Sequence, residues 1–307
     1  MTPAPPALPL ERGSMELTPA VIAQMGKPIK GPSALGSDPR RLWALTWALA
    51  RTEFKLAYFG SALGYVWQLV RPLLLFGVIY LVFTRAHLSR LSTFPLYSAA
   101  LLLGIVLFNF LSESTGGAVP SLVNRESLVR KIEFPRLAVP LATVLTALFN
   151  LCLNLITVLL FLVLSGGTAR WSWLELPLLM IAFAAFSTGL AMILSVTYVR
   201  YRDVRPIWEV ILQMTFYASG IFFSIIDISP VTLLGVRVNL AHVLMANPFA
   251  AILEQARHAF VNPAYPSAAK AIGGTGLLMV PIGIVLAVLV IGYWTFDRQA
   301  PRVAEQL

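Results

Sequence analysis

Charge is scarce in this sequence: Asp, Glu, Lys and Arg make up 12% of 307 residues, whereas 58% are hydrophobic. A soluble domain carries roughly a quarter charged residues, and half that supply cannot clothe a water-facing surface. Cysteine is nearly absent. Cys152 stands alone, which excludes an intramolecular disulfide and a cysteine-based metal centre and leaves the redox compartment open. The histidines are scattered at His87, His242 and His258, with no His-Glu-x-x-His pair to hold zinc. A phosphate-binding loop is missing as well, because "GGTG" at 273–276 lacks the lysine and hydroxyl residue that complete one. ATP hydrolysis by that route is excluded. Carboxylates are missing from the middles of the apolar runs: Arg71, Glu113, Glu209 and Asp227 all fall towards run ends, where snorkelling or pairing accounts for them. A proton- or sodium-coupled carrier would more often place one centrally.

What is present is a series of apolar runs of about the 20 residues that a bilayer core asks of a helix. Six can be read: Gly64–Thr84, Tyr97–Val119, Leu137–Leu164, Leu174–Val199, Ile207–Ile228 and Gly276–Phe296. The chain therefore reads as an all-α integral membrane protein with six transmembrane helices. The net charge of +9 is spread over segments flanking the runs, a topology signal rather than a nucleic-acid footprint. From residue 38 onward, thirteen basic residues lie before run one, between two and three, between four and five, and after six; the opposite loops, although longer, hold six. Basic residues are retained inside, so both termini are expected in the cytoplasm.

Outside the runs, residues 1–37 are rich in Pro, Ala and Gly and read as a disordered cytoplasmic tail. From Asp38 and Pro39 a helix start is expected, and Leu42, Leu45, Leu49 and Leu56 fall near helical spacing with Trp43 and Trp47 four apart. With Arg41, Arg51 and Lys55 on other faces, this predicts an amphipathic helix in the cytoplasmic interface. Gly60 and Gly64 form a small-xxx-small pair after it. Between runs two and three, "SLVNRESLVRKIEFPR" places Leu122, Val129 and Ile132 roughly on one face with Leu128 nearby, while Arg125, Glu126, Arg130, Lys131 and Glu133 project elsewhere. A solvated positive loop explains those charges but not the apolar face, so a short amphipathic helix gripped by a soluble partner is expected. "VRYRDVRP" at 199–206 carries Arg202, Asp203 and Arg205 in a similar setting, where a topology-setting loop is an equal reading. The connection 229–275 is apolar yet falls outside, which fits short re-entrant or interfacial helices; Phe249, Ile252, Leu253, Ala256 and Phe260 form one stripe.

In this order and spacing, "GSALGYVWQLVRPLL", "NRESLVRKIEFPRLAVPLATV", "YRDVRPI", "NPFAAILEQAR" and "FDRQAPRVAEQL" resemble the membrane subunit of type-2 ABC exporters. The similarity is to the group that moves lipid-linked O-antigen, teichoic acid, galactan or capsule, and it runs from about residue 38 to the C-terminus. The resemblance implies an ABC-2 type transmembrane domain over 38–307, a homodimer, and two copies of a separate ATPase chain that binds the ATP and Mg, with no cofactor on this chain. It implies ATPase coupling through Leu122, Asn124, Arg125, Glu126, Leu128, Val129, Arg130, Lys131, Ile132 and Glu133, with Arg202, Asp203 and Arg205. The glycan is then expected to leave through a channel at the dimer interface.

Sugar rings stack on aromatic faces, which makes Tyr65, Trp67, Phe108, Phe110, Phe149, Tyr217, Phe222 and Phe223 channel-lining candidates; lipid-facing anchoring is the other reading of each. Asn150 and Asn154 share one helix face and serve either helix–helix hydrogen bonding or a polar conduit. An exporter of small lipophilic compounds, and a membrane-embedded glycan-processing enzyme using Glu113, Glu209 or Asp227, are the alternatives. The orientation has a direct check. In a Cys152→Ser background, a cysteine introduced at Glu126 is expected to react with a membrane-impermeant thiol reagent only from the cytoplasmic side.

Overall fold

The computed structural model describes residues 38–57, 64, 66–85, 94–130, 134–225, 228, 231–233 and 236–306. Residues 1–37, Gly60, Tyr65, Lys131, Ile132, Glu133 and Asp227, each singled out above, lie outside that set. Helix α1 (Pro39–Leu56) starts where Asp38 accepts the Arg40 N–H at 2.8 Å, with Pro39 in the first turn. There follow α2 (Val66–Arg85), α3 (Tyr97–Ala118), two single turns α4 (Ser121–Asn124) and α5 (Glu126–Val129), α6 (Ala138–Leu164), α7 (Glu175–Arg200) and α8 (Val204–Ala218). Three-residue strands β1 (Val231–Leu233) and β2 (Val236–Val238) form an antiparallel hairpin with Val231 opposite Val238. Short helices α9 (Leu240–Met245), α10 (Pro248–Ala256) and α11 (Ala268–Ile272) lead to the long α12 (Met279–Gln306).

Among the described residues, four helical segments are long and apolar enough to cross a bilayer: Tyr97–Ala118, Ala138–Leu164, Trp171–Arg200 and Met279–Ala300; Val66–Val82 is a shorter apolar segment. The expected fifth run needs correction. Its helix stops at Ala218 rather than Ile228, leaving 15 residues, which at 1.5 Å each reach about 22 Å against a hydrocarbon core of about 30 Å.

Helix α3 forms the centre of the bundle. Its residues Ala99 to Leu107 are all buried, against α2, α6, α7 and α8. Trp208 on α8 donates from Nε1 to the buried Thr115 hydroxyl at 2.9 Å, which fixes α8 to α3. Helices α7 and α12 meet backbone to backbone at Gly189 and Gly292. A Cβ on Gly292 would lie 2.5 Å from the Gly189 carbonyl oxygen, so only glycine permits the approach. Helix α1 lies along α6, with Phe149 receiving Trp47 and Phe54 edge-on at centroid distances of 5.4 and 5.7 Å.

The end of α8 is set from a distance. Arg257, 0% exposed, follows α10 and donates from Nη1 to the Gly220 carbonyl and from Nη2 to the Ile221 carbonyl, each at 2.8 Å, while Nη1 also meets Glu254 Oε1 at 3.1 Å. Gly220 has φ +74, a conformation that favours glycine and turns the chain away from the helix axis. The carbonyls exposed by that turn would be orphans without the guanidinium. Burial pushes the Glu254 carboxyl above its usual range, with Arg257 pulling against it. Arg257→Met strands that carboxylate and both carbonyls and is expected to lower unfolding stability by about 3–5 kcal/mol. Adding Glu254→Gln should recover part of the loss. Thermal unfolding of detergent-solubilised protein measures both.

Candidate functional site

The connection between α3 and α6 is folded as two single turns, α4 and α5, in place of the one continuous helix expected from the pattern. The break is at Arg125, whose φ of −119 and ψ of 32 lie outside the helical region. The apolar face is nonetheless real. Leu122 and Val129, each 0% exposed, join a cluster with Leu137, Val139, Met192, Val196, Val199, Phe296, Ala300 and Val303 from α6, α7, α12 and their ends. Leu128 is half-buried, whereas Asn124 and Arg130 are exposed. Arg130 pairs with Glu126 at 2.7 Å one turn earlier; both side chains are about half exposed, so the pair contributes little to stability.

Two further cations anchor this lever. Arg125 forms an ion pair with Glu53 of α1, and Thr146 of α6 donates to the other Glu53 oxygen at 3.3 Å. Burial lowers the Arg125 guanidinium below its ordinary value. Arg136, 2% exposed, donates from Nε to the Val129 carbonyl at 3.4 Å and from Nη1 to the Ala300 carbonyl on α12. The α4–α5 connection is therefore tied to α1, to α6 and to the C-terminal helix. Arg136 looked like one more positive-inside residue in the sequence, and nothing in its spacing marks it as a bracket. Glu53 had no sequence signal either.

In the segment 199–206, Arg202 lies over Tyr198 at 4.9 Å, and Arg205 meets Glu209 at 3.1 Å; Arg202, Asp203 and Arg205 are exposed at the turn from α7 to α8. On α1, Arg41, Trp43, Trp47, Arg51 and Lys55 are all exposed, and Trp43 and Trp47 are adjacent at 6.5 Å.

The aromatic candidates divide. Phe110 is buried against Phe183 at 4.9 Å, Phe108 packs on Phe216 at 4.6 Å, and Phe222 packs on Phe216 at 5.0 Å. Phe223 is half-buried beside the same core. Phe149 receives α1. These rings make contacts within the chain, and Phe110 in particular is buried in the core. Trp67, 42% exposed, and Tyr217, 59% exposed, are free to face another molecule.

Of the paired asparagines, Asn154 is 4% exposed and donates back to the Asn150 carbonyl at 2.9 Å. Asn150 instead donates from its side chain to Glu113 Oε2 at 2.8 Å, and Gln68 donates to Glu113 Oε1 at 3.1 Å. The three side chains line a cleft of about 440 Å³ that also includes Glu53, Trp67 and Arg71.

The model of the ABC-2 type transporter family matches residues 44–261, a stretch that begins in α1, includes the lever and ends just beyond Arg257. The chain belongs to the ABC-2 type transporter family. This ABC-2 protein is similar to the O-antigen export system permease protein RfbA of Myxococcus xanthus, 28% identical over 178 residues that cover 58% of this chain and 67% of that protein. It is also similar to the O-antigen export system permease protein RfbA of Klebsiella pneumoniae, 24% identical over 222 residues, covering 72% of this chain and 82% of the relative. The family match and the apolar helices together make it a multi-pass membrane transporter.

The Glu53–Arg125 pair offers a test of the lever's tether. Glu53→Arg and Arg125→Glu, each alone, are expected to raise amide hydrogen exchange across 121–130, and the double exchange of charges to restore protection.

Proposed function

We propose that this protein is the permease subunit of an ATP-driven exporter that moves lipid-linked polysaccharide, of the O-antigen, teichoic acid, galactan or capsule type, across a bacterial cytoplasmic membrane. The observation that carries the reading is its similarity to the two O-antigen export permeases. In this reading two copies of the chain form the conduit, and two copies of a separate ATPase supply the work, holding the ATP and Mg. Helices α2 and α8 complete six crossings with the four long helices, the residues after Ala218 supplying the length that α8 lacks; both termini face the cytoplasm, and α9 to α11 re-enter near the outer mouth.

Each part of the lever has a task in that scheme. Leu122 and Val129 lock it to the ends of the spans, so it does not slide freely. Asn124, Glu126 and Arg130 face outward where an ATPase groove would receive them; Lys131, Ile132 and Glu133 would extend the same face. When the ATPase domains close on nucleotide, the tilt of the lever passes through Arg125 to α1 and through Arg136 to α12. Arg202, Asp203 and Arg205 at the adjacent turn give the partner a second contact.

Co-expression with the cognate ATPase is the test. The two chains are expected to co-purify, and Arg130→Glu with Lys131→Glu and Leu128→Asp is expected to abolish glycan export in a permease-deletion strain while the protein still reaches the membrane. Failure to co-purify, or full export by the triple variant, overturns the coupling assignment.

A further inference from the structure

The cleft between α1, the first turns of α2, the last turns of α3 and the first half of α6 is built largely from polar side chains, several of which bond across these helices. Glu113 belongs to an otherwise apolar helix, where a charge facing lipid would be costly. Its two oxygens are held by the amides of Gln68 and Asn150, at 3.1 and 2.8 Å. Amides orient a carboxylate without neutralising it, and among the described residues Glu113 has no ion pair. Each of its oxygens retains acceptor capacity beyond the one bond it receives. Pro72, inside α2, has no N–H to offer the Gln68 carbonyl, so the helix wall at this point gains one more acceptor.

The remaining lining residues narrow the chemistry. Arg71 brings donors and formally balances Glu113, while Glu53 is balanced by Arg125. A phosphate would meet two carboxylates, and a metal ion would meet amide N–H groups already directed at Glu113. An alkyl chain would meet a polar wall. A neutral polyol fits, because each hydroxyl both donates and accepts and the wall alternates acceptors with donors. Trp67, with an exposed indole beside Gln68, supplies the flat apolar face on which a pyranose ring stacks. At about 440 Å³ the cleft is towards the small end of the roughly 300–1,000 Å³ typical of small-molecule sites, room for about one or two sugar rings.

We infer that this cleft is a sugar-binding site, with Glu113 accepting from ring hydroxyls, Asn150, Gln68 and Arg71 completing the polar wall, and Trp67 as the stacking face. For its cargo the inference rests on the export reading. Because Glu53 lines the cleft and also holds the lever, the site lies at the lever's end of the bundle, where the sugars of a lipid-linked glycan would first meet the protein.

The test uses the full chain with its ATPase partner in nanodiscs of phosphatidylethanolamine and phosphatidylglycerol. Saturation-transfer NMR is recorded with the methyl glycosides of mannose, glucose, galactose, rhamnose and N-acetylglucosamine. At least one glycoside is expected to bind. Glu113→Ala should weaken it by roughly tenfold or more, as expected for a lost charge-assisted hydrogen bond. Trp67→Ala should weaken it as well, with Trp67→Phe retaining most of the affinity. Asn150→Ser, a milder change, serves if Glu113→Ala does not fold. Binding of no glycoside, equal binding by the variants, or displacement by methyl phosphate overturns the site. Export is read separately by complementation of a permease deletion. A wild-type complex that binds glycosides but does not complement sinks the export reading alone, and one that complements without binding them sinks the cleft alone.

Discussion

A single guanidinium with no access to water sets the shape of the region after α8. Removing a charge from water is costly unless it is paired and hydrogen-bonded, and the two terminal nitrogens of Arg257 are met by Glu254 and by the carbonyls of Gly220 and Ile221, while its Nε has no partner among the described residues. Those carbonyls are available only because the helix has ended; the helix ends where Gly220 takes a positive φ. Neither half is stable without the other. The short helix α10 is thereby fixed against α3 and α7, with Phe249 packed on Phe108 and Phe183, and the apolar stripe of the long connection has its burial.

At the opposite end of the bundle the bonding is of another kind. The lever is too short for intrinsic helix stability, since a single turn bears the nucleation cost without the return of elongation. It persists because Leu122 and Val129 are covered and because Arg125 and Arg136 bind elements distant in sequence. A segment held in this way keeps its shape when pushed while its polar side remains open to a partner.

The membrane helices were legible because their signal is additive: twenty apolar residues in succession outweigh any single exception, and the bounds of α3, α6 and α7 follow the hydropathy within a residue or so. The fifth run misled for the same reason. Apolar residues continue beyond Ala218, so composition alone carries the helix onward, whereas the actual stop depends on Gly220 and on a cation 37 residues away. The lever's apolar face could be read, but not its division at Arg125. Arg136, Glu53 and Arg257 each occur once, without periodicity, and their roles come from partners brought by tertiary folding. The aromatic candidates show the converse limit. Residue type nominated Phe110 and Trp67 alike, and only packing separates the ring enclosed by Phe183 from the ring left open.

The glycine contact between α7 and α12 has a mechanical corollary. At the Gly189–Gly292 crossing the two helices meet by main chain, with no side chain between them there to change rotamer, and Met192, Val196 and Phe296 fill the seam beyond it. Because α12 also receives Arg136 at Ala300, the connection before α6 and the closely packed α7–α12 pair belong to one unbroken chain of contacts.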